Sequence, residues 1–306
     1  MTIQSKYINP FTDFGFKRIF GEESNKDILL DFLNEVLAPQ GIKIKELNYK
    51  KNDHYPFSVE DRKVIFDLYC ENENGEKFTI ELQKAKQDHF KDRMLYYSSF
   101  SIQEQGIQGP WNYELKAVYV VAILNFIFDK TLSNKVITYA QLFDIETKTS
   151  FSKTLNFITI EMPKFTKKEQ ELETNLDKWL YLLKHLHELE KIPLKLQGKI
   201  LEKVFKVAKY TAMSKDERKE YEESLKNYND LQNTLETTER EGFEKGFNKG
   251  IEEITPLLEE ERRLKEEAKI TIKTMIQKLI SKGFSVEEIA NDLNKSIAEI
   301  NEIIVE

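Results

Sequence analysis

Cysteine is almost missing from this chain of 306 residues, with Cys70 as its only representative. No disulfide framework or cysteine-rich zinc site can form within one chain, which suits a reducing compartment. Long apolar runs are also missing. The longest, VYVVAIL before Asn125, falls far short of the ~20 residues that a membrane helix needs. The opening MTIQSKYINPF lacks the basic-then-apolar layout of a signal peptide. A cytoplasmic protein with no membrane partner is therefore expected. No glycine-rich loop leads into Lys-Ser or Lys-Thr, so no nucleotide cofactor is expected. Only four histidines occur. His185 and His187, two apart on an expected helix, face different ways and cannot form a zinc pair, which needs a spacing of four. A positive excess is absent too, with 46 basic against 53 acidic residues overall and 21 against 23 through residue 165. Any contact with nucleic-acid phosphates must come from a local patch.

What is present is a sizeable apolar inventory: 40 % hydrophobic residues, with 20 Phe and 13 Tyr. A packed core follows, and global disorder is excluded. SNKDILLDFLNEVL reads as a helix with Ser24 and Asp27 at capping-box spacing. IKIKELNY (42–49) alternates like a strand, the loop KNDHYPFSVEDRK follows, and VIFDLYC and FTIELQ then flank a polar turn containing Asn74-Gly75 as a hairpin. QDHFKDRMLYYSSFSIQEQG reads as a helix closed by Gly106. KAVYVVAIL (116–124) is apolar throughout, as in a strand covered on both faces. VITYAQLFDI and LNFITIEM add two strands. Beyond residue 166 the chain turns helical and densely charged. Three regions are expected: residues 1–165, a helical stretch 166–235, and a C-terminal module 236–306.

Each hairpin strand carries one acid, Asp67 and Glu81. A carboxylate amid strand hydrophobics is costly unless it is paired, solvated or holding a metal. A two-residue Asn74-Gly75 loop pairs residues whose numbers sum to 149 and puts the two acids on opposite faces. A three-residue Glu73-Asn74-Gly75 loop, with Gly75 left-handed, pairs residues that sum to 148 and sets Asp67 opposite Glu81, with Gln83 diagonal. Opposed like charges would destabilise the sheet, and a divalent cation removes that penalty and suits Mg²⁺. The competing reading leaves both acids solvated at the wet end of an edge hairpin. Lys84, Lys86, Lys91 and Arg93 follow directly, as a local patch for phosphate or, with Asp88 and Asp92 interleaved, as a solvated helix face. Cys70 is expected to pack beside Phe66 and Leu68 on the apolar face.

The ordered set NPFTDFGFKRIFG, ILLDFLNEVL, VIFDLYC, FTIELQKA, FKDRMLYYSS and ITIEMPKF, spread over residues 7–165, resembles the PD-(D/E)XK nuclease superfamily. Within it, the chain resembles the recombination-promoting nuclease (Rpn) and PD-(D/E)XK transposase family. The resemblance implies an α/β restriction-endonuclease-like core, a mixed sheet flanked by helices, followed by an all-α extension. It also implies Mg²⁺- or Mn²⁺-dependent hydrolysis of DNA phosphodiesters, in recombination, transposition or defence against foreign DNA. By position, Asp67 and Glu81 become the metal ligands, and Gln83 stands where the superfamily usually has lysine. An amide can hydrogen-bond but carries no charge. Lys84 is expected on the opposite face, and Asp13 and Lys17 are possible lining residues. The rival class is a catalytically idle nuclease fold serving as a DNA-binding or protein-interaction module.

In the tail, Gly242, Gly246 and Gly250 recur beside Phe243, Phe247 and Ile251. This is either a self-associating helix, pointing to a homo-oligomer such as a dimer, or a flexible joint. SVEEIANDL and SIAEINEII each open with Ser three residues before Glu. The last carries Glu299 and Glu302 and no cation, so a helix-turn-helix reader of DNA is excluded in favour of packing or oligomerisation.

Overall fold

In the computed structural model, residues 5–51, 53–54, 64–107, 109–128, 131 and 134–305 are described. Most of the loop 51–63 thus lies outside the described residues. The element order is α1 (Asp13–Phe20), α2 (Lys26–Leu37), β1 (Leu47–Tyr49), β2 (Asp53–His54), β3 (Val64–Ile65), β4 (Leu68–Asn72), β5 (Lys77–Gln83), α3 (Phe90–Gln103) and β6 (Val118–Leu124). There follow β7 (Ile137–Phe143), β8 (Ser150–Glu161), α4 (Asn175–His185), α5 (Lys199–Val207), α6 (Lys215–Ser281), α7 (Val286–Asp292) and α8 (Ile297–Val305). The chain divides into two compact units, residues 1–233 and 234–306.

The first unit is built on a six-stranded mixed sheet in the order β1-β4-β5-β6-β8-β7. β4 runs antiparallel to β1 and β5, β5, β6 and β8 are mutually parallel, and β7 returns antiparallel along β8. A parallel step from β5 to β6 requires a crossover, and α3 supplies it. All seven residues of β6, VYVVAIL, are buried. One face packs under α3 through Phe90 and Met94 against Val118, Val120, Ala122 and Leu124. The other face belongs to the main core, which gathers α1, α2, α4 and α5. At its centre Phe20 and Phe32 pack against Trp179, whose Nε1 donates to Asp31 at 2.8 Å. Helices α4 and α5, although they follow residue 166, therefore share the core of the sheet. The first turns of α6 join them, with Tyr221 buried and accepting from the Asn9 N–H at 3.0 Å.

Several local expectations are revised. The expected capping box at Ser24 is absent: α2 starts at Lys26 after a short 3-10 turn, and Asp27 accepts instead from Ile28 N–H and from Lys203. Of the expected strand 42–49, only Leu47–Tyr49 pairs, because Asn34 clamps both the N–H and the carbonyl of Ile44.

The second unit continues α6 and ends in α7 and α8, which bury Ile276, Ile289, Ala290 and Ile300 together. Both serine-glutamate boxes form, Ser285 with Glu288 and Ser296 with Glu299. Gly242, Gly246 and Gly250 lie inside α6, with open space where a Cβ would stand.

Candidate metal and DNA site

The turn fixes the hairpin register. Pairs Leu68–Ile80, Tyr69–Thr79, Cys70–Phe78 and Glu71–Lys77 all sum to 148, the three-residue-loop alternative. Gly75 takes φ +79°, a conformation that glycine adopts without steric cost. Asn72 Oδ1 accepts from the N–H groups of both Asn74 and Glu76, which locks the loop. Carried one step beyond Leu68, this register would set Asp67 opposite Glu81.

The first strand is broken, however. Val64 and Ile65 pair with Asp53 and His54 in a separate ribbon, and Asp67 sits in a bend before β4. The break flips one side chain. Phe66 packs with Tyr69 and Tyr97 under α3, while Leu68 and Cys70 face the main core. The expected grouping of Cys70 with Phe66 is thus corrected, since strand alternation does not carry through a bend.

At the bend, the side chain takes over the ladder. Asp67 Oδ2 accepts from the Leu82 N–H at 2.7 Å, and the Asp67 N–H donates to Glu81 Oε1 at 3.4 Å. Glu81 is only 5 % exposed, among Thr79 and Gln83 on the α3 face. Gln83 Nε2 donates to Glu81 Oε2 at 3.4 Å, and Arg93 from α3 reaches the same oxygen at 3.6 Å. Arg93 is itself held by Gln87 Oε1 at 2.7 Å and lies over the Tyr97 ring.

These surroundings penalise charge. Burial, and then the neighbouring Asp67 carboxylate, push Glu81 up to about 8, with Arg93 opposing. Burial also raises Asp67, against the Leu82 N–H that favours its ionised form. Asp13 raises Asp67 further, while Lys17 and Lys84 lower it. A buried glutamate beside a half-buried aspartate of this kind calls for a cation.

Among the described residues no group of three or more His, Cys, Asp or Glu side chains is assembled as a metal cage. Mg²⁺ does not need one, since it binds through one or two carboxylates and completes its shell with waters and substrate phosphates. Asp67 and Glu81 fit that donor set: hard oxygens, side by side, destabilised as a like-charged pair.

The cations expected to meet phosphate are placed differently from one another. Lys84 turns to the α1 side and pairs with Asp13 at 2.7 Å. That orientation matches its expected face, yet it still acts on Asp67, because Asp67 lies at the strand edge. Lys86 is exposed. Lys91 leans over the Phe128 ring and lines an apolar hollow of about 260 Å³. His89 is exposed, left-handed at φ 58°, and bonded to Asp92.

Helix α1 contributes more to the site than its pattern suggests: Asp13 and Lys17, one helical turn apart, act on Asp67 with opposite sign. Their spacing was the available signal.

Neither a curated protein nor a solved structure matches the chain. The family model of the PD-(D/E)XK nuclease family transposases does match, over residues 10–238. That span takes in the sheet, the carboxylate pair and every helix of the main core. With the mixed sheet and its flanking helices, it shows that this chain belongs to the PD-(D/E)XK nuclease family transposases.

Proposed function

We propose that the chain is a divalent-metal-dependent DNA endonuclease, serving recombination, transposition or defence against foreign DNA. The observation that carries the reading is the juxtaposition of a buried Glu81 and a half-buried Asp67, Glu81 raised by burial and by the Asp67 carboxylate, Asp67 raised by burial and by Asp13. Asp67 and Glu81 would hold Mg²⁺ or Mn²⁺, which when bound supplies Lewis acidity at the phosphoryl group and makes water a better nucleophile. Gln83 orients Glu81 through its amide, donating to the oxygen that Arg93 also approaches. Arg93, already beside Glu81, is a fork-shaped donor suited to a phosphate oxygen, with Lys84 and Lys86 as further phosphate contacts. The Leu82 N–H fixes the Asp67 carboxylate before substrate arrives. Self-association through the C-terminal helices and a cytoplasmic setting complete the reading.

Digestion of supercoiled plasmid with and without Mg²⁺ or Mn²⁺ tests it, with Asp67→Ala in parallel. Metal-dependent nicking by the natural chain and none by the variant is expected. If the natural chain leaves DNA intact in both metals, the idle-fold class takes its place.

A further inference from the structure

Within the second unit, α6 exposes an apolar seam interrupted by one charged pair. Phe247, Ile251, Ile254, Leu258, Glu261, Lys265, Ala268, Ile272 and Met275 follow one another at alternating steps of four and three. This is the 3.5-residue repeat of a helix that packs along another helix. Every one of these positions is exposed, with Phe247 at 58 %, Leu258 at 59 % and Met275 at 58 %. From Ile251 to Met275 the seam runs about 36 Å at the helical rise. An uncovered apolar strip of this length marks an interaction surface. Pro256, inside the helix, falls on the side away from the seam.

The only polar residues in the repeat are Glu261 and Lys265, and they lie symmetrically about residue 263. From Ile251 to Met275 the apolar positions flank them evenly, with Ile251, Ile254 and Leu258 on one side and Ala268, Ile272 and Met275 on the other, and Phe247 beyond them. Within one helix Glu261 and Lys265 already bond each other at 2.6 Å.

We propose that the partner of this seam is a second copy of the chain, with the two α6 helices antiparallel about a two-fold axis at residue 263. Facing positions then sum to 526. Ile251 meets Met275 of the second copy, Ile254 meets Ile272 and Leu258 meets Ala268. Glu261 of each copy meets Lys265 of the other. A two-fold contact of this kind is self-complementary: residue i meets j and j meets i. Parallel pairing instead sets Glu261 on Glu261 and Lys265 on Lys265, like charges in a seam, which selects against it. The pairing deepens the self-association named above and is independent of the nuclease chemistry, so its test needs neither DNA nor metal.

The test uses the full chain with Ile254→Cys, Ile272→Cys, and an equal mixture of the two under mild oxidation. Cys70 is buried and stays silent. Only the mixture should cross-link, since in the antiparallel pair residue 254 lies about 27 Å from its own copy. Sedimentation of charge variants is the second arm. Glu261→Lys and Lys265→Glu should each weaken the dimer by at least about tenfold, and the double reversal should restore it. Cross-linking of Ile254→Cys alone, a natural chain that sediments as a monomer at micromolar concentration, or single reversals without effect would each overturn the proposal.

Discussion

The two faces of the β4–β5 hairpin are made by the same dozen residues and do opposite things. On the α2 side Leu68, Cys70, Phe78, Ile80 and Leu82 belong to the main core. On the α3 side Tyr69, Thr79, Glu81 and Gln83 are just as buried, yet every one carries a polar group. Alternation along a strand keeps the two sets at fixed registry. Stability is thus concentrated on one face and charge on the other, and the second face bears the cost. Dry packing has no strain to relieve, whereas the carboxylate pair is a stored penalty that a cation can release.

The largest effect should come from emptying the polar face. Asp67→Ala or Glu81→Ala is expected to lower metal-dependent DNA cleavage by on the order of 10³-fold, with circular dichroism unchanged. A variant that cleaves as well as the natural chain would remove these residues from the chemistry.

On the opposite face of the same strand, Phe78→Ala should cost about 3–5 kcal/mol of stability by denaturant unfolding. Any cleavage that remains should still depend on metal. A loss under 1 kcal/mol would mean that the two faces are not divided as described.

The third effect is a pH dependence. The folded state raises Glu81 from its ordinary 4.5 to about 8. Stability from the protonated acid is therefore fully present below 4.5 and is lost as pH climbs through about 8. Metal-free protein should show a Tm that falls over that interval. Glu81→Gln should flatten the slope, and Mg²⁺ at pH 8 should raise the Tm of the natural chain but much less that of the variant. Equal slopes in the two proteins would show that the pair is not strained.

Smallest is the periphery. Lys86→Ala should weaken DNA binding only a few-fold and reduce the salt slope by about one counterion, leaving the metal dependence intact. A change in metal dependence would draw Lys86 into the site.

The sequence carried much of this. The hairpin and the buried strand VYVVAIL were readable from alternation, while the choice between the two- and three-residue loops needed the pairing itself. What was not readable has a shared physical cause. The bend at Phe66–Asp67 appears only when the Leu82 N–H finds Asp67 Oδ2, a bond between residues 15 apart. The influence of Lys17 and Lys84 on Asp67 needs α1 docked beside the strand edge. Arg93 looked like one more surface cation until α3 crossed the sheet and laid it on Glu81. The change of composition near residue 166 suggested a boundary, because charge-rich helices carry their apolar residues on one face only. That face turns out to lie on Phe20 and Phe32.

The Phe20–Phe32–Trp179 cluster has a consequence for how this protein can be shortened, duplicated or shared between genes. A cut after the last strand would strip the aromatic floor from α1 and α2, although no strand and no candidate ligand had been removed. The portable piece runs on to the opening turns of α6, where Tyr221 closes over Asn9. A natural fusion or an engineered fragment that keeps the fold of the first unit has to respect that later boundary.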